Sequence, residues 1–208
     1  MGVLSGSGAT EGIVHWLRLM VRGRRGGMVS TAVMGNGDTD DVVIEDLQVR
    51  GAYAEIYGAG ILIRQGSTGA VVRNVTVREN GDGGIVVIHD AEATLTGVDF
   101  LANEAKQGGG LAIEEFSTAT VSDCVFDGNI APSGAGAFIR SASTVTMTGC
   151  VVMNNAATAN TYGGGVYVDN AQCDISGCEI TGNTTDGSGG GLAYVNGATG
   201  TVASCDIV

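Results

Sequence analysis

The sequence predicts an all-β fold: a single-stranded parallel β-helix of about eight coils, each 23–28 residues long. Three observations predict it. Apolar and polar residues alternate at period two over short stretches, which is the pattern of strands and not of helix turns. Several apolar columns and one Asn column recur at a fixed period, the mark of a repeat architecture. The composition suits a narrow core: 208 residues hold 36 Gly and one Pro, with 44% hydrophobic but only 5% aromatic residues.

The repeat is clearest in Ala119-Thr-Val121-Ser-Asp-Cys124-Val-Phe126-Asp-Gly-Asn129. The first apolar column reads Val14, Val42, Ala70, Ala93, Ala119, Val145, Cys173 and Gly200. The second reads Trp16, Ile44, Val72, Leu95, Val121, Met147, Ile175 and Val202. The third reads Leu19, Leu47, Val75, Val98, Cys124, Cys150, Cys178 and Cys205. The fourth reads Val21, Val49, Val77, Phe100, Phe126, Val152, Ile180 and Ile207. Three residues later stand Asn80, Asn103, Asn129, Asn155 and Asn183. The step from Val121 to Cys124 leaves room for a bend between two strands.

A third strand opens each coil, at Gly60-Ile61, Gly84-Ile85, Gly110-Leu111, Gly136-Ala137, Gly165-Val166 and Gly191-Leu192. From that Gly to the first column takes 8 to 10 residues and from the first column to the Asn always 10, while the stretch from Asn to Gly varies from 4 residues (Asn80 to Gly84) to 10 (Asn155 to Gly165). Length variation at one corner marks loops on one side of a solenoid. One domain, 1–208, is expected. Residues 1–59 form irregular coils, with Trp16 wide for an inward slot and an Asp-rich insertion at Met34–Asp41, and 60–208 form regular ones. A coil cannot bury its apolar side chains alone, so the core exists only when coils stack.

Composition excludes several function classes. The net charge is −12, with residues 1–78 at +1 and 79–208 at −13, so no basic face is available for nucleic acid. No apolar run approaches the length of a membrane-spanning helix. The opening Met1-Gly2-Val3-Leu4 does not read as a secretory signal.

Gly108-Gly109-Gly110-Leu111, Gly163-Gly164-Gly165-Val166 and Gly189-Gly190-Gly191-Leu192 form one motif; Phe100-Leu-Ala-Asn103 and Phe126-Asp-Gly-Asn129 form another. Together they resemble the repeats of polymorphic outer-membrane proteins and similar right-handed parallel β-helix surface proteins. The resemblance covers 60–208 well and 14–59 loosely. It implies a right-handed coil, as the crossover rule also requires. It further implies an exported, surface-displayed and often adhesive protein. The signal segment and membrane barrel of that family are absent from this sequence.

The chemistry-bearing residues read mostly as structural. Cys124, Cys150, Cys178 and Cys205 fall in one inward column and Cys173 in another, so reduced, buried thiols are expected, and a straight file does not offer tetrahedral zinc geometry. The Asn column reads as a hydrogen-bonded ladder. For catalysis the weak candidates are Arg64, Glu114, Arg140 and Asp169, in one outward row interrupted by Ile88, with His89 and Glu115 beside it. Opposite charges on neighbouring rungs are expected to pair. Asp38, Asp40 and Asp41 are weak calcium candidates, since hard cations prefer carboxylate oxygens. No cofactor is expected otherwise. Arg18, Arg22, Arg24 and Arg25 read as a solvated basic edge.

The expected function is a non-enzymatic structural or adhesive rod of a surface or secreted protein. Its expected partners are the coils of a longer chain, or identical chains end to end, with an extracellular glycan or host surface as external ligand. The alternative is a carbohydrate-active β-helix that binds or cleaves a glycan along the Arg64–Asp169 row.

Overall fold

A computed structural model describes residues 18–24 and 27–34 as backbone, and 41–53, 59–159 and 161–208 in full. The chain winds as a parallel β-solenoid with three long sheets and one short one. Sheet A contains β1 (Arg18–Arg24) and β2 (Gly27–Met34), then Ile61–Arg64, Ile85–Ile88, Leu111–Ile113, Ala137–Arg140, Val166–Asp169 and Leu192–Val195. Sheet B runs from Val43–Glu45 through Thr118–Ser122 to Val202–Ala203, and sheet C from Gln48–Arg50 through Val125–Asp127 to Asp206–Ile207.

Strand register matches the sequence columns. Ala93, Ala119, Val145 and Cys173 are Cα partners on successive rungs, as are Leu95, Val121, Met147 and Ile175. Phe100, Phe126, Val152 and Ile180 stack likewise. These inward side chains are at most 1% exposed, and rungs about 4.8 Å apart put like beside like. The Phe100 and Phe126 rings stack with centroids 4.5 Å apart. The corner between sheets B and C turns on one left-handed residue per coil, for example Asp123 (φ 54) and Gly149 (φ 64), which accounts for the Asp, Asn and Gly found there.

The Asn column is a buried ladder. The Asn129 side chain donates from Nδ2 to Asn155 Oδ1 (2.9 Å) and to the Phe100 carbonyl (2.9 Å). Its Oδ1 accepts from both the backbone N–H and Nδ2 of Asn103, each at 3.0 Å. Beside the ladder the glycine triplet has two different jobs. Gly108 has a positive φ of 58° and faces Ala112, where a methyl group would sit 2.8 Å from the Ala112 Cβ. A methyl at Gly109 would meet the Ala135 carbonyl at 2.7 Å, and one at Gly110 the Gly136 carbonyl at 2.6 Å. The last two positions need glycine for close approach of neighbouring backbones.

Two expectations are corrected. Among the described residues seven rungs of sheets B and C make about six turns, where eight coils were expected. Leu19 and Val21 do not lie in a first coil: β1 pairs antiparallel with β2, Arg18 opposite Val33 and Arg24 opposite Gly27. Period-two alternation is the same in parallel and antiparallel strands, so the pattern of 18–24 did not reveal its direction. Val14, Trp16 and Arg25 lie outside the described residues, as do the side chains of Arg18, Arg22 and Arg24. The variable corner also carries order of its own: Ile130–Ala131, Ala156–Ala157 and Thr184–Thr185 form a short parallel sheet, sheet D.

Candidate functional site

Sheet A presents alternate residues outward, and the Asn-to-Gly loops fold back over them. In four coils a left-handed glycine two residues before the strand's own glycine packs on the outward residue of that strand: Gly108 on Ala112, Gly134 on Phe138, Gly163 on Tyr167 and Gly189 on Ala193. Outward positions are solvated in a simple strand, yet Ala112 and Phe138 are 2% exposed and Tyr167 is 8% exposed. Phe138 and Tyr167 stack with centroids 5.3 Å apart, and half-exposed Tyr162 extends the strip at 6.2 Å from Tyr167. Burial first, and the neighbouring Asp169 second, push the Tyr167 hydroxyl above the ordinary tyrosine range.

The charged row runs beside this strip. Arg140 lies 5.4 Å over the Phe138 ring and donates from Nε to Glu114 Oε2 at 2.7 Å, with Nη2 at 2.6 Å from the same oxygen. The Glu114 side chain is 9% exposed, so the pair is largely removed from water on the acid's side. His89 Nε2 lies 2.8 Å from Glu115 Oε2 on the adjacent corner. A recess of about 250 Å³ opens here, floored by Val86, Ile88 and Ala112 and walled by Lys106, Gln107, Glu114 and Arg140.

Of the residues read from the sequence, Glu114 and Arg140 meet directly. Asp169 follows Arg140 by register and accepts a hydrogen bond from Asn196 Nδ2 at 2.7 Å. Arg64 is separated from Glu114 by the rung of Ile88, which is 3% exposed. The four therefore do not converge on one point. Asp38 and Asp40 lie outside the described residues; Asp41 sits at a corner with φ 61°, its N–H bonded to the Thr68 carbonyl at 3.2 Å. Among the described residues no three His, Cys, Asp or Glu side chains gather as metal ligands would.

Sequence reasoning passed over Phe138 and Tyr167. The signal was present: in Ala137-Phe138-Ile139 and Val166-Tyr167-Val168 both neighbours belong inward, which turns the rings outward in a chain with few rings to spare. Their burial was not readable, because it depends on loops without a repeat.

All five cysteines are free; Cys124, Cys150, Cys173 and Cys178 are buried and Cys205 is partly buried. The Cys150 N–H donates to Cys178 Sγ at 3.3 Å. Burial pushes the Cys173 thiol up to about 12. The hydrogen bond with Cys124 first, and burial after it, push the Cys150 thiol up to about 12.

The architecture defines a stacked-coil protein whose outward row holds one ion pair between neighbouring rungs, Glu114 with Arg140. The chain belongs to the right-handed β-helix family, whose model, described as the right-handed beta helix region, matches residues 31–207. No curated protein matches the chain, and no solved structure does.

Proposed function

We propose that the chain is a non-enzymatic β-helix rod, a structural or adhesive module of a secreted or surface-displayed protein. One observation carries this reading. Glu114, the most buried acid of the outward row, is neutralised by Arg140 on the next rung, so neither stands as an unengaged base or acid. A glycoside hydrolase ordinarily needs two carboxyls facing each other across the scissile bond. Here Glu114 and Asp169 are separated by the Arg140 rung. The charge difference between 1–78 (+1) and 79–208 (−13) favours head-to-tail contact between identical chains, or continuation into further coils.

The second reading, a carbohydrate-active β-helix, draws support from half-exposed Tyr162 at the end of the buried Phe138–Tyr167 stack, on the face that also carries Arg140 and Asp169, since an exposed aromatic face stacks on sugar rings and charges hold acidic ones. Incubation with acidic polysaccharides, with and without calcium, separates the two. The rod reading expects no new reducing ends and no unsaturated uronates. Turnover that disappears in Arg140→Ala would establish the second reading in its place.

A further inference from the structure

The outer face of sheet B differs from the rest of the described surface. Across three rungs its outward positions are Glu92, Thr94 and Thr96; Thr118, Thr120 and Ser122; Thr144, Thr146 and Thr148. Eight of these nine carry a hydroxyl, and the register passes through all three strands without a shift. Strand propensity favours Thr everywhere, so it does not explain the contrast with sheet C. There the same three rungs turn Asp99, Leu101, Val125, Asp127, Val151 and Met153 outward.

Within the array, Thr96 and Ser122 share a hydrogen bond at 3.1 Å. Thr94, Thr118, Thr120, Thr144 and Thr146 are exposed, and their hydroxyls make no hydrogen bond among the described residues. The backbone beneath is held by Ala93, Leu95, Ala119, Val121, Val145 and Met147, none more than 1% exposed. Ladders of this kind keep stacked sheets flat. Rungs about 4.8 Å apart and outward residues about 6.6 Å apart along each strand make a rectangular net. Every Thr node offers one hydroxyl and one methyl group. Both repeats are close to the oxygen repeats on a prism face of hexagonal ice.

We infer that this face binds ice. The Thr hydroxyls take the places of lattice water molecules, and the methyls sit in the cages between them. A charged face would hold its own liquid hydration; these three rungs carry one charge, Glu92 at their edge, with Arg73 and Asp174 on the flanking rungs. The inference rests on sheet B alone and not on the recess beside sheet A.

The test is slow growth of ice from a dilute solution of the full chain, with the protein measured in ice and in the remaining liquid, and ice-crystal growth followed by microscopy. The chain is expected to be enriched in the ice and to shape the crystals. Thr120→Lys and Thr146→Lys are expected to lose both effects, while Glu179→Lys on sheet C keeps them; circular dichroism checks the fold of each variant. Exclusion of the unmodified chain from ice overturns the inference whatever the variants do. So does a folded T120K that enters ice like the parent, or retention on crystalline cellulose with exclusion from ice.

Discussion

Asn129 is the residue whose role is most completely fixed by its surroundings. It is fully buried, donates to Phe100 and Asn155, and accepts twice from Asn103. Asn129→Ala strands the Asn103 backbone N–H in a dry interior and takes a donor from both the Phe100 carbonyl and Asn155 Oδ1. A buried group without a partner costs about 1–3 kcal/mol, so a loss of about 2–4 kcal/mol is expected by denaturant titration. Stability equal to the parent would remove the ladder as a source of stability. The cysteines make the opposite case, residues that look reactive in the sequence and are shut away by the fold. The Cys173 thiol, raised from 9.0 to about 12, favours the folded state while it stays protonated. Its contribution is present below pH 9 and is lost as pH rises through the folded value, so the fold should weaken between about pH 9 and pH 12. At pH 8 an alkylating reagent should modify partly exposed Cys205 in the native chain, and the buried four only after unfolding; mass spectrometry of the labelled peptides reads this directly.

At the scale of the coil, the glycine strand and the αL corners use the same residue for different reasons. Gly110 lies where a methyl would press on the Gly136 carbonyl at 2.6 Å, while Gly128 has open space and only a positive φ of 65°. Gly110→Ala must push two rungs apart and is expected to cost more than about 3 kcal/mol, the scale of severe core strain. Gly128→Ala should cost about 1–2 kcal/mol, the left-handed penalty alone. Equal losses in parallel melts would show that close backbone approach is not what the glycine triplet serves. An exposed acid adds side-chain bonds to the backbone ladder of the final rung. Asp174 accepts from both the N–H and the hydroxyl of Thr201, at 2.8 Å and 2.7 Å, and these bonds hold its carboxyl below the ordinary 3.8. A lowered value stabilises the fold above the unfolded pKa and stops doing so as pH falls through the folded one. The protection factor at Thr201, exchange corrected for its intrinsic rate, should therefore fall below about pH 4, while Thr146, two strands further into the stack, keeps its protection.

At the scale of the whole molecule, what the sequence disclosed and what it concealed divide along the repeat. The stacking of Ala119 on Val145 and of Phe126 on Val152 follows from spacing, because a parallel rung leaves one register that buries every inward residue. The direction of Arg18–Arg24 does not follow, nor does the cover over Phe138 and Tyr167, since neither a hairpin nor an irregular loop leaves a period to count. The charge row was legible as a row, but its meaning depended on distance: only the 2.6 Å contact shows that Glu114 is spent on Arg140. Charge is also where the rod as a whole is vulnerable. Twenty-two acids face ten bases, and the stack sets Glu179 directly against Asp206 on the next rung. Like charges on adjacent rungs repel across a spacing of about 4.8 Å, well inside the screening length of about 30 Å at 0.01 M salt. Raising the salt to 0.15 M shortens that length to about 8 Å and relieves the repulsion summed along the acidic turns. It weakens exposed pairs such as Arg73–Glu45 by less, because there are few of them. The melting temperature should rise by about 2–4 °C over that range, the shift that about 1 kcal/mol makes in a chain of this size. Glu179→Gln should take away part of the rise. A melting temperature that falls with salt would mean that paired rungs, and not repelling ones, govern the stability of the stack.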